Sequence, residues 1–485
     1  MTIISNTRAS VAQAAALATL ALVPPARSAP AQTAAREVSL ERLALDITVD
    51  YGRAALAGRA TLTVRNQSAA PLGVVPLLLN RLMSATRASD GAGRALKMEQ
   101  KVGLFEDDSL LQVNEVALHL ARPLPSGDSV SVRVDWSGRL VGYTETGSLY
   151  IRDRIDSAFT ILRMDAFAYP WIGRPSHRAL RAAGQTHFAY QARVTVPRGQ
   201  VVTMGGTLTG RVDADSQVTW SYESSGPAPF LNIAIAPYAR HESPAVSLYY
   251  FPADSLGARR LAERLQAGMQ LLERWFGAPR ERAPLVVMEI PDAWGSQADV
   301  HAGVILTADA FAPSASLVSL YHELTHLWNP PDSDQPSGRW NEGLASFLQW
   351  RMAEALDAWT DWDGRVARTV QTARERCGAR GQCSTTPMRD YGTRELTDFS
   401  YLTGFLMFYA LHRVMGDASF DLAYRTLLDR SRATGAGSSD LVEAFVSRDP
   451  RSRKIFDEWL LSPAWYTRVQ DGAGMRSLIE GYARK

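Results

Sequence analysis

A chain of 485 residues, 46% hydrophobic and 21% charged, has ordinary globular composition and length for roughly three domains of ~150 residues. That composition excludes wholesale disorder. Lys+Arg at 52 against Asp+Glu at 50 leaves a formal charge of +2, so there is no electrostatic footprint for nucleic acid as a partner. The basic residues are nearly all Arg, with Lys only at positions 97, 101, 454 and 485. No internal stretch reaches the ~18 apolar residues that a membrane span needs.

The N-terminus reads as a targeting segment. Residues 1–10 carry one charge, Arg8, and Val11–Val23 is uncharged and mostly apolar. Pro24-Pro25 ends any helix, and Ala29-Pro30-Ala31 has the small-x-small form of a cleavage site. The expectation is a signal peptide over 1–31 and an extracytoplasmic, periplasmic or secreted, mature protein. Its two cysteines, Cys377 and Cys383, sit in a predicted polar loop where an oxidising compartment allows a disulfide. Two unpaired thiols are the other reading.

From about 37 to 243 the period is two. Leu43, Leu45, Ile47 and Val49 alternate, as do Ala60, Leu62 and Val64, then Val130, Val132, Val134 and Trp136. Val218, Trp220 and Tyr222 follow, then Leu231, Ile233 and Ile235. Separators such as Asn66–Pro71, Pro123–Asp128 and Pro197–Gln200 break the runs. Short alternating runs between turn residues predict an antiparallel β domain of saddle or sandwich type. The aromatic-rich segment Phe159–Trp171 reads as core.

From 245 to about 480 the period changes, giving a multidomain α+β chain. Ser247–Phe251 and Leu285–Ile290 read as short buried strands. Between them, apolar residues at 261, 265, 269, 272 and 275 have helical spacing. After residue 314 almost every segment reads as helix.

Residues 314–350 carry the chemistry. His322-Glu323-x-x-His326 lies on a predicted helix, with Leu317, Leu320, Tyr321, Leu324 and Leu327/Trp328 as its apolar stripe. Ser314 is the predicted cap, and Pro330-Pro331 the stop. Residues four apart share a helix face, so both imidazoles can reach one Zn²⁺, with Glu323 beside the first to hold the metal's water. A chain with only 8 His meets this pattern by chance on the order of once in 100 sequences, which makes the spacing informative. A catalytic zinc wants a third protein ligand and an open position. Glu342 is the candidate, on a second helix whose buried side is Trp340, Leu344, Phe347 and Leu348. His119, His177, His187, His241 and His412 have no metal-spaced partner and read as surface or satisfied core residues.

The segment is similar to the gluzincin metallopeptidases of the aminopeptidase N family, whose pattern H-E-x-x-H is followed by N-E-G-F-A; here the second part is Asn341-Glu342-Gly343-Leu344-Ala345. The stretch His326-Leu327-Trp328-Asn329 also resembles the glycyl aminopeptidase family. The resemblance covers about 37–470 and implies an N-terminal saddle domain over 37–243 and a thermolysin-like zinc peptidase domain over 245–480. It implies one Zn²⁺ on His322, His326 and Glu342, with Glu323 as general base and a peptide as substrate. It also implies a catalytic tyrosine in a Tyr-x-x-Gly pattern, matched here by Tyr401-Leu402-Thr403-Gly404; Tyr391 is a weaker alternative. The tyrosine's role is a hydrogen bond to the developing oxyanion.

The departures bear on specificity. Fifteen residues separate His326 from Glu342, and the family's spacer is longer by about three. The family's exopeptidase motif, Gly-x-Met-Glu-Asn, aligns with Ala298–Leu306, which puts Val300 where the amine-binding Glu belongs. Strand alternation would put Asp299 and His301 on the face opposite Val300. The peptide is expected along the 303–306 strand as an added edge strand. The resemblance implies an aminopeptidase; an endopeptidase, or a non-catalytic peptide- or partner-binding protein with the same fold, remains open. Side-chain preference and oligomeric state are not encoded in these motifs.

Overall fold

The computed structural model describes residues 37–484 apart from 144–150, 178–179, 181–186, 395 and 471–473, so the predicted signal segment 1–31 lies outside the described residues. The alternating runs form a seven-stranded sheet in the order Thr207–Asp213, Gln217–Glu223, Ala189–Pro197, Val38–Asp50, Ala55–Asn66, Ser129–Arg139, Met83–Asp90. Every pair is antiparallel except Val38–Asp50 with Ala189–Pro197, which runs parallel with Leu43 opposite Tyr190. A four-stranded sheet, Lys97–Leu104, Gln112–Leu124, Leu72–Asn80 and Trp171–Ile172, shares its core. Leu43, Leu45, Ile47, Ala60, Leu62, Val64, Val132, Val134 and Trp136 are all buried there, as period two requires. Phe159, Phe167, Tyr169 and Trp171 are likewise buried.

A five-stranded sheet begins the second half, in the order Ala239–Glu242, Val246–Tyr250, Leu285–Ile290, Gly303–Thr307, Gln297–Asp299. Ten helices are described: α1 (Ser255–Phe276), α2 (Val318–His326), α3 (Trp340–Asp357), α4 (Trp362–Arg380), α5 (Ser400–Met415), α6 (Asp417–Ser431), α7 (Ser438–Arg448), α8 (Ser452–Trp459), α9 (Ala464–Gln470) and α10 (Met475–Ala483). Helix α1 packs against α2 at Gly268, where a Cβ would lie 2.8 Å from Leu324 Cδ1. The zinc-motif helix starts at Val318, without a side-chain cap, so Ser314 does not cap it. Cys377 and Cys383 are joined in a disulfide, both fully buried. Cys377 belongs to the last turns of α4, not to a loop.

The central strand Leu285–Ile290 is buried along its whole length, including the Glu289 carboxyl. One Glu289 oxygen accepts a hydrogen bond from the Phe251 N–H at 2.6 Å. Burial pushes the carboxyl up to about 8, and the like charges of Asp254 and Asp292 reinforce this against the Phe251 hydrogen bond. The folded chain therefore keeps a proton that the unfolded chain, near the ordinary value of 4.5, has released. Stability falls as pH rises through the window from about 4.5 to 8. Glu289→Gln is expected to remove this decline and to gain up to roughly 5 kcal/mol over the parent above pH 8, with no gain below pH 4.5. Thermal unfolding of both proteins at pH 5 and pH 9 checks this; an equal difference at the two pH values would show that Glu289 is not the source.

Candidate metal centre

His322 and His326 project from one face of α2, a turn apart, and their rings are 4.9 Å from centroid to centroid. Glu342 enters from the first turn of α3. Its Oε2 lies 3.3 Å from His322 Nε2 and 3.5 Å from His326 Nε2. Two donors on a tetrahedral ion at ~2.0–2.1 Å lie roughly 3.3 Å apart, so these separations suit a single zinc. The set is two imidazoles and one buried carboxylate, a zinc-type combination of donors, and it is the one such group found among the described residues. The outer nitrogens are engaged as well. His322 Nδ1 meets Gln349 Oε1 at 3.1 Å, an outer partner of the kind that orients a metal-ligating ring. His326 Nδ1 meets the side-chain amide of Asn329 at 2.8 Å.

Helix α3 delivers Glu342 because its other side is core: Trp340, Leu344, Phe347 and Leu348 are buried, as the spacing predicted. Burial alone would raise the Glu342 carboxyl, but the Arg339 guanidinium and the two imidazoles hold it well below the usual carboxylate range. Glu323 is buried too, on the same helix as the histidines. Burial pushes it up to about 7; His322 opposes the shift and Glu342 adds to it.

Tyr401 lies in the first turn of α5, with its ring parallel to His322 at 5.9 Å between centroids and 10° between planes. Burial raises its hydroxyl pKa above the ordinary tyrosine value, and the Glu342 charge reinforces this. Tyr391 is a core residue, fully buried with its ring 6.3 Å from Phe399, and it is not brought to the centre.

The structure corrects the expected substrate edge. Gly303–Thr307 is paired on both sides, parallel to Leu285–Ile290 and antiparallel to Gln297–Asp299, so it has no free edge. The free edge belongs to Gln297–Asp299, the outermost strand. The alternation argument for Val300 also fails, because the strand stops at Asp299 and a turn follows. Asp299 Oδ1 accepts from the His301 and Ala302 N–H groups, each at 2.8 Å. Asp299 and Val300 then line one cavity of about 100 Å³, with Glu281 and Asn329, beside His326. The His301 ring meets Ser225 Oγ of the β region at 2.8 Å and pairs with Glu281, which lines that cavity.

Sequence reasoning missed Arg339. Its guanidinium bonds Glu342 Oε1 and lies 5.8 Å from the Tyr401 ring centroid. An Arg three residues before a helical Glu is a readable pair, but the left-handed backbone that aims it here is not.

No family model matches the sequence, and no curated protein matches it. Solved structures do match by fold. An M1 zinc metallopeptidase from Deinococcus radiodurans superposes with a TM-score of 0.62 at 20% identity, covering 88% of this chain and 94% of that one. A variant M1 zinc metallopeptidase from the same organism, bound to a Tyr-Ser-Ala substrate, gives 0.62 at 19% identity, with the same coverage. A two-domain M1 zinc metallopeptidase variant bound to L-arginine gives 0.61 at 19%, again over 88% and 94%. The architecture is thus that of the two-domain M1 zinc metallopeptidases: an N-terminal β domain followed by a mostly helical one.

The Tyr-x-x-Gly and Asn-Glu-Gly patterns meet in space. A Cβ on Gly404 would lie 2.6 Å from Gly343 Cα, and one on Gly343 would lie 2.5 Å from Gly404 Cα. Gly404→Ala must therefore push α5 away from α3. Expected are a loss of roughly 1–3 kcal/mol in stability and a parallel fall in bound zinc. Gly378→Ala is the control, since no atom lies within 4 Å of that Cβ on α4; it should gain up to about 1 kcal/mol. Thermal unfolding and metal content of both variants check this. Unchanged zinc content in Gly404→Ala would mean that the glycine contact does not hold the centre together.

Proposed function

We propose that this chain is an exported zinc-dependent peptidase that hydrolyses peptide bonds, with His322, His326 and Glu342 as metal ligands. The observation that carries the reading is the convergence of three donor atoms from α2 and α3 at zinc-like separations, with Glu323 on the same helix turn and Tyr401 alongside. Zinc held by His322, His326 and Glu342 would supply an acidified water, with a pKa near ~7, and polarisation of the scissile carbonyl. Glu323 takes the proton from the attacking water and returns it to the leaving amine. The Tyr401 hydroxyl donates a hydrogen bond to the oxygen that gains charge during attack. The substrate backbone adds to the free edge of Gln297–Asp299, opposite α2.

Two fold neighbours support a short peptide with a free amino end as substrate: one is bound to Tyr-Ser-Ala and another to L-arginine. Aminopeptidase action is therefore the first reading. Endopeptidase action is the second reading, supported by Val300 at the position where the resemblance implies an amine-binding Glu; the Glu281 and Asp299 carboxyls in the same cavity are the groups left to meet an ammonium for the first reading. Export rests on the apolar Val11–Val23 run and the small residues after it.

Glu323→Gln is expected to keep its zinc and lose turnover by 10²–10⁴-fold, on the order typical of a general base. Tyr401→Phe should lose about 10²–10³-fold in kcat with zinc retained. A chelator should abolish cleavage, and added zinc should restore it. Mass-spectrometric mapping on matched free and N-acetylated peptide pools separates the two specificities, because an aminopeptidase leaves the acetylated pool intact. Full turnover by Glu323→Gln, or no cleavage of either pool by the zinc-loaded parent, would refute the peptidase reading.

A further inference from the structure

Arg339 immediately precedes α3 with φ at +56°, a conformation that a non-glycine residue rarely adopts. Neighbours hold it there. Its N–H donates to Ser337 Oγ at 2.8 Å, and the Ser337 hydroxyl in turn donates to Asp332. The backbone so fixed aims the guanidinium at Glu342, where Nη2 donates to Oε1. The two oxygens of Glu342 therefore have different partners: Oε1 is taken by Arg339, and Oε2 alone faces His322 Nε2 and His326 Nε2.

We infer that Arg339 is a positioning residue that restricts Glu342 to a single metal-binding oxygen and so keeps the fourth coordination position open for water. The inference rests on the zinc reading of the site. A carboxylate free of other partners can bind an ion through both oxygens, which would fill the position that a catalytic zinc keeps open. A cation so close to the ion's place adds nothing to metal affinity by charge, since like charges repel. Its service is to hold geometry. Arg suits this better than Lys, because its planar fork fixes direction as well as charge.

Arg339→Gly is the discriminating variant. Glycine accepts φ at +56° without strain and is tolerated before a helix, so the variant removes the side chain and leaves the backbone conformation unstrained. The measurements are metal stoichiometry, the visible spectrum of the cobalt(II)-substituted protein, kcat and KM with the zinc form, and thermal unfolding of the metal-stripped protein. Cobalt absorbs strongly when four-coordinate and weakly when five- or six-coordinate. Expected for Arg339→Gly are one metal ion per chain, a weakened cobalt band, and kcat down about 10–100-fold with KM little changed; unfolding of the metal-stripped variant is lowered, because the buried Glu342 carboxylate loses its cation. Arg339→Lys should restore part of the cobalt band. A parent-like cobalt spectrum and kcat in Arg339→Gly would overturn the inference. So would a lowered unfolding temperature with an unchanged spectrum, which would assign Arg339 to folding alone. Failure of the parent itself to bind one zinc or cobalt ion would instead refute the metal reading, before any variant is compared.

Discussion

Helices α3 and α5 touch backbone to backbone at Gly343 and Gly404, because neither residue has a Cβ to keep them apart. The geometry of the centre depends on that approach. Glu342 is one residue before Gly343, and Tyr401 is three before Gly404, almost one helical turn. With the helices in contact, the carboxylate and the phenol reach the same side of α2, where the two imidazoles stand. Even one methyl group at either glycine would meet main-chain atoms, which cannot rotate away as a side chain can. The two short glycine patterns are therefore packing instructions as much as chemical signatures. Their separation in sequence, 60 residues apart, conceals that they form one contact.

Much of this was legible before any coordinates. Period two located the sheet residues, because a half-buried strand must alternate, and Leu43, Leu45 and Ile47 lie in the core as read. The i, i+4 histidines were legible because helix geometry is local. Glu342 was legible as a carboxylate on the next helix, Tyr401 came through resemblance, and both stand at the centre. The illegible parts are those set by tertiary partners. Ser314 looks like a cap, yet helix α2 begins four residues later, after an uncapped turn. The strand Gly303–Thr307 looked like an edge, since nothing in its own residues announces that Gln297–Asp299 folds back on it. Arg339 was passed over because a positive φ at a non-glycine residue leaves no trace in composition or periodicity.

That folded-back hairpin ties the two halves of the protein together. Arg163 and Asp153, both fully buried, form an ion pair, and Arg163 Nη1 also donates to the Trp294 carbonyl at 2.8 Å. Gln297 is gripped twice, accepting from Asn232 at 3.0 Å and donating to Asp165 at 2.9 Å. Tyr190 donates to the His301 carbonyl at 2.8 Å, and the His301 ring reaches Ser225. Every one of these partners lies in the β half of the chain. Breaking a buried pair such as Asp153–Arg163 strands a charge, at a cost of roughly 3–5 kcal/mol, so the grip is not easily released.

The division of labour follows from where each element is anchored. The donor atoms belong to helices α2 and α3, whose positions are set inside the helical core by Gly268, Gly343 and Gly404. The free strand edge belongs to a hairpin whose position is set by the β half. The cavity beside His326, lined by Asp299 and Val300 on one side and Asn329 on the other, is the seam between these two anchorages. The distance from edge strand to metal centre is then fixed by hydrogen bonds to the β half and by close-packed glycines in the helical half, with no single element spanning both. A β domain remote from the three donor residues thus acts as the ruler that sets where this free strand edge lies relative to them. The buried face of its long first strand, where Leu43 pairs with Tyr190, is the core from which the Tyr190 hydroxyl reaches across to the hairpin.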